Sequence, residues 1–156
     1  MRREYPETPI TAVSGVLFDN QERVLLIRRA RLPAKGKWSL PGGVVLLGEE
    51  LEVALQREIY EECRLRAKPG PLIAVSSRII YDPSEKIQYH YILLDYICEM
   101  TDGKLESGSD ASDARWVELQ ALNDLDLTDG VLEVIQKGLE KKRELQLGDG
   151  QVQEGT

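Results

Sequence analysis

Histidine occurs once, at position 90, and cysteine only twice, at positions 63 and 98. Two cysteines are too few for a disulfide framework, so Cys63 and Cys98 read as reduced, packed thiols. A lone histidine inside a strand pattern reads as a packed or hydrogen-bonded residue rather than a general base. No run of about eighteen apolar residues occurs, which leaves no membrane-spanning helix. The segment Met1-Arg2-Arg3-Glu4-Tyr5-Pro6 lacks the apolar stretch of a signal peptide, and the expected compartment is the cytoplasm. There are no internal repeats and no interdomain linker. Positive charge is also short: 20 Lys and Arg face 27 Asp and Glu, a net charge of −7. That argues against bulk nucleic acid and anionic membranes as partners. A small phosphorylated substrate stays open, because a cation and a few arginines reverse the field locally.

What is present is ordinary for a globular chain: 156 residues, 42% hydrophobic and 30% charged. One domain is expected over residues 1–146, long enough to bury a core. Residues 147–156, rich in Gly, Gln, Glu and Asp, are expected to form a frayed tail. Thr11 to Phe18 and Arg23 to Arg29 read as strands joined in a hairpin by Asp19-Asn20-Gln21-Glu22. Arg28 and Arg29 close the second strand. A loop, Leu32 to Lys37, leads to Trp38 and then to a Pro41-Gly42-Gly43 loop. Trp38 reads as core packing. Later strands are predicted over Leu72–Tyr81, Ile87–Met100 and Ala114–Glu118, with loops at Ala67–Gly70 and Thr101–Ser112. A helical turn is predicted at Leu119–Leu125 and a helix at Asp129–Glu144, its apolar stripe Val131, Val134, Ile135 and Leu139. Asp129 or Thr128 can cap it.

The remaining stretch carries the chemistry. Glu50 to Cys63 has helical periodicity, and at 100° per residue Leu51, Leu55, Glu58 and Glu62 fall on one narrow stripe. The stripe that should bury apolar surface therefore carries two carboxylates. Glu61 widens the acidic cluster and Glu49 stands at the helix start. Inward carboxylates without partners are costly, and like charges one turn apart repel. A hard divalent cation such as Mg²⁺, Mn²⁺ or Ca²⁺ removes both penalties. Carboxylates and a metal, with no paired Ser or Cys nucleophile, suit attack of water on phosphorus.

Gly43, Glu49 and the run Arg57-Glu58-Ile59-Tyr60-Glu61-Glu62-Cys63, at their spacing, closely resemble the Nudix box of MutT-like hydrolases. The resemblance extends over roughly Thr8 to Leu145. It implies a Nudix fold of the α+β class, an α/β/α sandwich with a mixed sheet between the box helix and a C-terminal helix. It also implies a metal-dependent pyrophosphohydrolase using Mg²⁺, or Mn²⁺ in its place. In that family Glu58 and Glu62 are the principal metal ligands, Glu61 completes the set, and a carbonyl near Gly42 or Gly43 joins them. Arg57 then orients the glutamates, Glu49 supports them, and Arg29, with Arg28 beside it, reaches a substrate phosphate. Asp110, six residues before Trp116, resembles a late acidic ligand, with Glu106 and Asp113 as neighbours in the same loop. The family usually has glycine where this chain has Arg64, so Arg64 either adopts the left-handed conformation at a cost or ends the helix differently.

The substrate expected from the resemblance is a nucleoside diphosphate derivative, with ADP-ribose or a nucleoside diphosphate sugar favoured by the Tyr89-His90-Tyr91 to Asp95-Tyr96 strand. Tyr81 points instead to dinucleoside polyphosphates, and nucleoside triphosphates and a non-catalytic nucleotide-binding module complete the alternatives. A homodimer is compatible with all of them.

Overall fold

The computed structural model describes residues 2–108 and 111–154. Its elements, in chain order, are β1 (Ile10–Val16), β2 (Val24–Arg29), β3 (Trp38–Ser39), β4 (Gly42–Val44), α1 (Leu51–Cys63), β5 (Leu65–Tyr81), β6 (Ile87–Gly103) and β7 (Ala111–Val117). A 3₁₀ turn (Leu119–Asp124) and α2 (Val131–Glu154) complete it.

The strands form two sheets rather than the one expected. A mixed four-stranded sheet runs β4-β1-β6-β5, with β1 parallel to β6 and the other pairs antiparallel. A three-stranded antiparallel sheet runs β3-β2-β7. The expected β1–β2 hairpin is therefore corrected. The turn at residues 19–22 brings the chain back through a short Phe18–Val24 bridge, with the Asp19 N–H bonded to the Arg23 carbonyl and the Leu25 N–H to the Leu17 carbonyl (3.0 Å each). The two strands then part into different sheets. The physical reason lies in β2, where Val24, Leu25, Leu26 and Ile27 are all at most 2% exposed. A strand apolar on both faces needs cover on both. Leu25 and Ile27 pack with Leu55, Ile59 and Cys63 of α1, whereas Val24 and Leu26 pack with Val131 and Ile135 of α2. The sheets thus form the middle layer between the two helices.

Other boundaries also moved. Pro41-Gly42-Gly43 is not a free loop: Gly42 and Gly43 belong to β4 and pair with Ser14 and Val13. Ala67–Gly70 is strand, since β5 begins immediately after α1 and pairs Leu65 with Gly103. Pro69 is tolerated because β5 is an edge strand, and the register shifts around it. β6 runs on to Gly103, and β7 starts at Ala111. The backbone of α2 stays helical to Glu154, past Leu147, where composition predicts fraying. Among the described residues, no helix is long and apolar enough to cross a membrane.

Arg64 ends α1 in the left-handed region (φ 59°, ψ 23°), its N–H bonded to the Tyr60 carbonyl at 2.9 Å. The helix therefore exits as a glycine would allow, with an arginine bearing the strain. Part of that cost is offset by the Arg64 guanidinium, 5.4 Å above the Tyr60 ring. Arg64→Gly is expected to stabilise the protein by about 0.5 kcal/mol, the strain of roughly 1 kcal/mol less the lost stacking. Thermal unfolding checks this; a lowered melting temperature would mean that stacking outweighs strain.

Candidate active site

The stripe read on α1 is the stripe that faces inward. Leu55, Ile59 and Cys63 are fully buried, and so, among them, are Glu58 (7% exposed) and Glu62 (4%). The two carboxylates lie beneath β4. The Gly42 N–H donates to Glu62 Oε1 at 2.7 Å. A Cβ added at Gly43 would fall within 2.6 Å of both Glu58 carboxylate oxygens, so only glycine lets that backbone lie on the carboxylate.

Arg57 is the hub of the acidic cluster. Its Nε and Nη2 form a fork on Glu49 at 2.7 and 2.8 Å. Nη1 donates to Glu58 Oε1 at 2.8 Å and more weakly to Glu61 Oε2 at 3.4 Å, and Nη2 also donates to the Val44 carbonyl at 3.1 Å. These bonds hold the guanidinium even more firmly protonated than usual. The Arg57 hydrogen bond in turn lowers the Glu49 carboxyl to about 2. A lowered acid stabilises the fold above its unfolded value, near 4.5, and loses that contribution as pH falls toward 2. Acid unfolding of wild type and Glu49→Gln is therefore expected to differ at neutral pH and to converge as pH falls from about 4.5 towards 2.

Among the described residues, no three His, Cys, Asp or Glu side chains are gathered into a ready-made metal cage. The carboxylates are already engaged, Glu58 with Arg57 and Glu62 with the Gly42 N–H. The donor chemistry nevertheless fits a hard divalent cation: two buried carboxylates against a glycine backbone, with Glu61 one turn away. Asp110 lies outside the described residues. Its chain neighbours are anchored to α1, however. Gly108 N–H donates to the Glu62 carbonyl at 2.8 Å, and Ala111 packs in the core cluster with Leu55 and Ile59. Asp113 is engaged with Arg115 at 2.8 Å.

The strand-end arginines separate. Arg28 is exposed and donates to the Gly36 carbonyl at 3.0 Å. Arg29 donates to the Pro33 carbonyl at 2.7 Å and lines a cavity of about 260 Å³ that also reaches Gly42 and Gly43. Burial pulls the Arg29 guanidinium down, while the nearby Tyr91 and Glu62 push it up. Arg78 on β5 and Arg3 from the N-terminal segment line the same cavity, as do Ser14, Asp95 and Lys137. None of these five was singled out from sequence. The available signal was Asp95, an acid in the middle of the apolar run Tyr91-Ile-Leu-Leu-Asp-Tyr-Ile-Cys98. Thr128 also lines the cavity, its hydroxyl bonded to Ser39 Oγ (3.2 Å). His90 and Tyr81 are not among the lining residues. Cys63 and Cys98 are buried free thiols, with Cys98 pushed by burial up to about 12.

Comparison with known proteins accords with this geometry. Residues 8–137 match the NUDIX domain family. An ADP-ribose pyrophosphatase of Methanocaldococcus jannaschii is 38% identical over 114 residues, which span 73% of this chain and 64% of the relative. An 8-oxo-dGDP phosphatase of Danio rerio is 29% identical over 135 residues, 84% of this chain but only 38% of the relative. The chain thus spans less than two thirds of the length of these curated relatives. The crystal structure of a MutT NUDIX hydrolase from Burkholderia pseudomallei superposes with a TM-score of 0.72 at 27% identity, covering 84% of this chain and 98% of that one. With its box carboxylates buried on α1 beneath the glycines of β4, and with the NUDIX domain matched over most of its length, the chain belongs to the Nudix family of MutT-like hydrolases.

Proposed function

We propose that the protein hydrolyses a phosphoanhydride within a nucleoside diphosphate derivative, ADP-ribose or a nucleoside diphosphate sugar, with water as the nucleophile and Mg²⁺ or Mn²⁺ as cofactor. The observation that carries this reading is the placement of buried Glu58 and Glu62 directly against Gly43 and Gly42, the two glycines that line the cavity together with Arg29. The name of the archaeal relative supports the choice of ADP-ribose.

Glu58 and Glu62 would hold the cation, with Glu61 adjoining. Bound there, a divalent ion supplies charge neutralisation for the diphosphate and for the leaving phosphate. The chain's own groups do the rest. Arg57 holds and aims Glu58, and Glu49 fixes Arg57. Arg29 binds a phosphate from the cavity side, where its partial desolvation strengthens the contact. A box glutamate such as Glu61, or an acid of the later loop such as Asp110, takes the proton from the attacking water. Neither cysteine is activated as a nucleophile: burial pushes both thiols up and keeps them protonated.

A panel of ADP-ribose, nucleoside diphosphate sugars, dinucleoside polyphosphates and nucleoside triphosphates, incubated with Mg²⁺ and scored for phosphate-bearing products, tests the reading. ADP-ribose should give AMP and ribose 5-phosphate. Tight binding of a nucleotide without turnover of any member would replace the hydrolase with a binding module.

A further inference from the structure

The cavity beside the box is not uniformly cationic: Asp95, Asp129 and Glu133 line it too. Asp129 and Glu133 are exposed, whereas Asp95 is buried and has no place in the hydrolysis just described. Asp95 sits in the middle of β6, 6% exposed. Its register partner on β1, Ser14, donates its hydroxyl to Asp95 Oδ1. That is one donor for a carboxylate with about four acceptor sites. Among the described residues no buried side-chain oxygen or nitrogen lacks a partner, so the second Asp95 oxygen is reached from the cavity that Asp95 lines. Lys137 on α2, across the cavity, adds attraction without a hydrogen bond. Water can meet that oxygen while the cavity is open, but a ligand that displaces the water without offering a donor would leave the carboxyl desolvated.

Its distance from the box is set by the sheet. Ser14 pairs with Asp95 on one side and with Gly42 on the other. Asp95 thus lies two strands from the box glycine, about 10 Å at roughly 4.8 Å per strand. A diphosphate held at Gly42–Gly43 and Arg29 would place the group attached to it, not the phosphates, over Asp95. A further phosphate there would be repelled, and an apolar group would leave the carboxyl desolvated and unpaired.

We propose that Asp95 is the specificity-determining residue of this cavity: its carboxyl accepts a hydrogen bond from an N–H or O–H on the group that the diphosphate carries, a nucleobase edge or a sugar hydroxyl. The inference rests on the hydrolase reading for the position of the diphosphate. Ser14 acts as the positioning residue that aims the acceptor.

The test compares kcat/KM for ADP-ribose, for an analogue lacking the adenine amino group, and for an analogue lacking one hydroxyl of the terminal ribose. Wild type should lose at least about tenfold on one analogue, which names the source of the donor. Asp95→Ala should flatten that difference to within about threefold, and Asp95→Asn, which keeps an acceptor oxygen, should restore part of it. Wild type treating all three compounds alike overturns the proposal whether or not the variants fold. So does a variant series in which all substrates decline together, the signature of a purely structural Ser14–Asp95 bridge. Failure of the hydrolase reading shows separately, as no turnover of ADP-ribose by wild type. Calorimetric dissociation constants for the same three compounds then carry the comparison, and binding of none overturns this inference too.

Discussion

Glu62→Gln and Glu58→Gln should each lower kcat by about a hundredfold or more while leaving the protein folded. Each carboxylate is nearly fully buried on the inner stripe of α1 and stands against the glycine backbone where a diphosphate would lie. Replacing it with an amide keeps the shape but removes a charge. Charge stabilisation is needed most in the transition state, so the loss should fall on kcat more than on KM. Removing the charge should also relieve repulsion in the metal-free protein, because two inward acids on successive turns repel. Mg²⁺ or Mn²⁺ should raise the melting temperature of wild type by mass action, and Glu62→Gln should blunt that rise. Equal metal-induced stabilisation in both proteins would remove Glu62 from the ligand set.

Arg57→Ala should do damage of a different kind. One guanidinium holds Glu49, Glu58, Glu61 and the Val44 carbonyl together. Its removal leaves Glu58 buried beside other acids; breaking a fully buried pair costs about 3–5 kcal/mol, and the partial exposure of Arg57 brings that to about 2–4 kcal/mol. For a domain of this size that corresponds to a fall in melting temperature of roughly 5–15 °C. Activity should drop as well, since a misaimed Glu58 no longer meets its ligand geometry. Arg57→Lys should rescue little, because an ammonium cannot reproduce the bidentate fork on Glu49 together with the bond to Glu58. Differential scanning calorimetry and steady-state rates, taken together, check both halves. Full rescue by lysine would show that charge alone, and not the fork, is what the site needs.

The centre of this site was legible because its signal was a conflict. A helix whose apolar stripe Leu51, Leu55 continues as Glu58, Glu62 carries acids on the face that must pack inward, and the structure does bury them. Gly43 and Arg57 were readable from spacing and resemblance, and their contacts follow from it. The sheet was less legible. Thr11–Phe18 and Arg23–Arg29 look like a hairpin locally, but the unbroken apolar run of β2 requires neighbours on two faces, and a hairpin supplies no such cover. Ala67–Gly70 looked like a loop because proline and glycine mark turns, whereas an edge strand absorbs both at a shift in register. Resemblance put Arg29 ahead of Arg28 without a physical reason; strand alternation separates them, sending Arg28 to solvent and Arg29 to the cavity. Asp95, Arg78 and Arg3 meet only through tertiary pairing, with Ser14 and Asp95 81 positions apart. No local pattern announces such a meeting.

The most direct test is hydrolysis of ADP-ribose with Mg²⁺ in ¹⁸O-labelled water under single-turnover conditions. One labelled oxygen should appear on a product phosphate, with no enzyme-bound phosphoryl or nucleotidyl group trapped on denaturation, and Glu62→Gln should abolish the label within the same time. Label absent from both products, or a covalent adduct recovered from the enzyme, would contradict direct attack of water at a site built from the box glutamates.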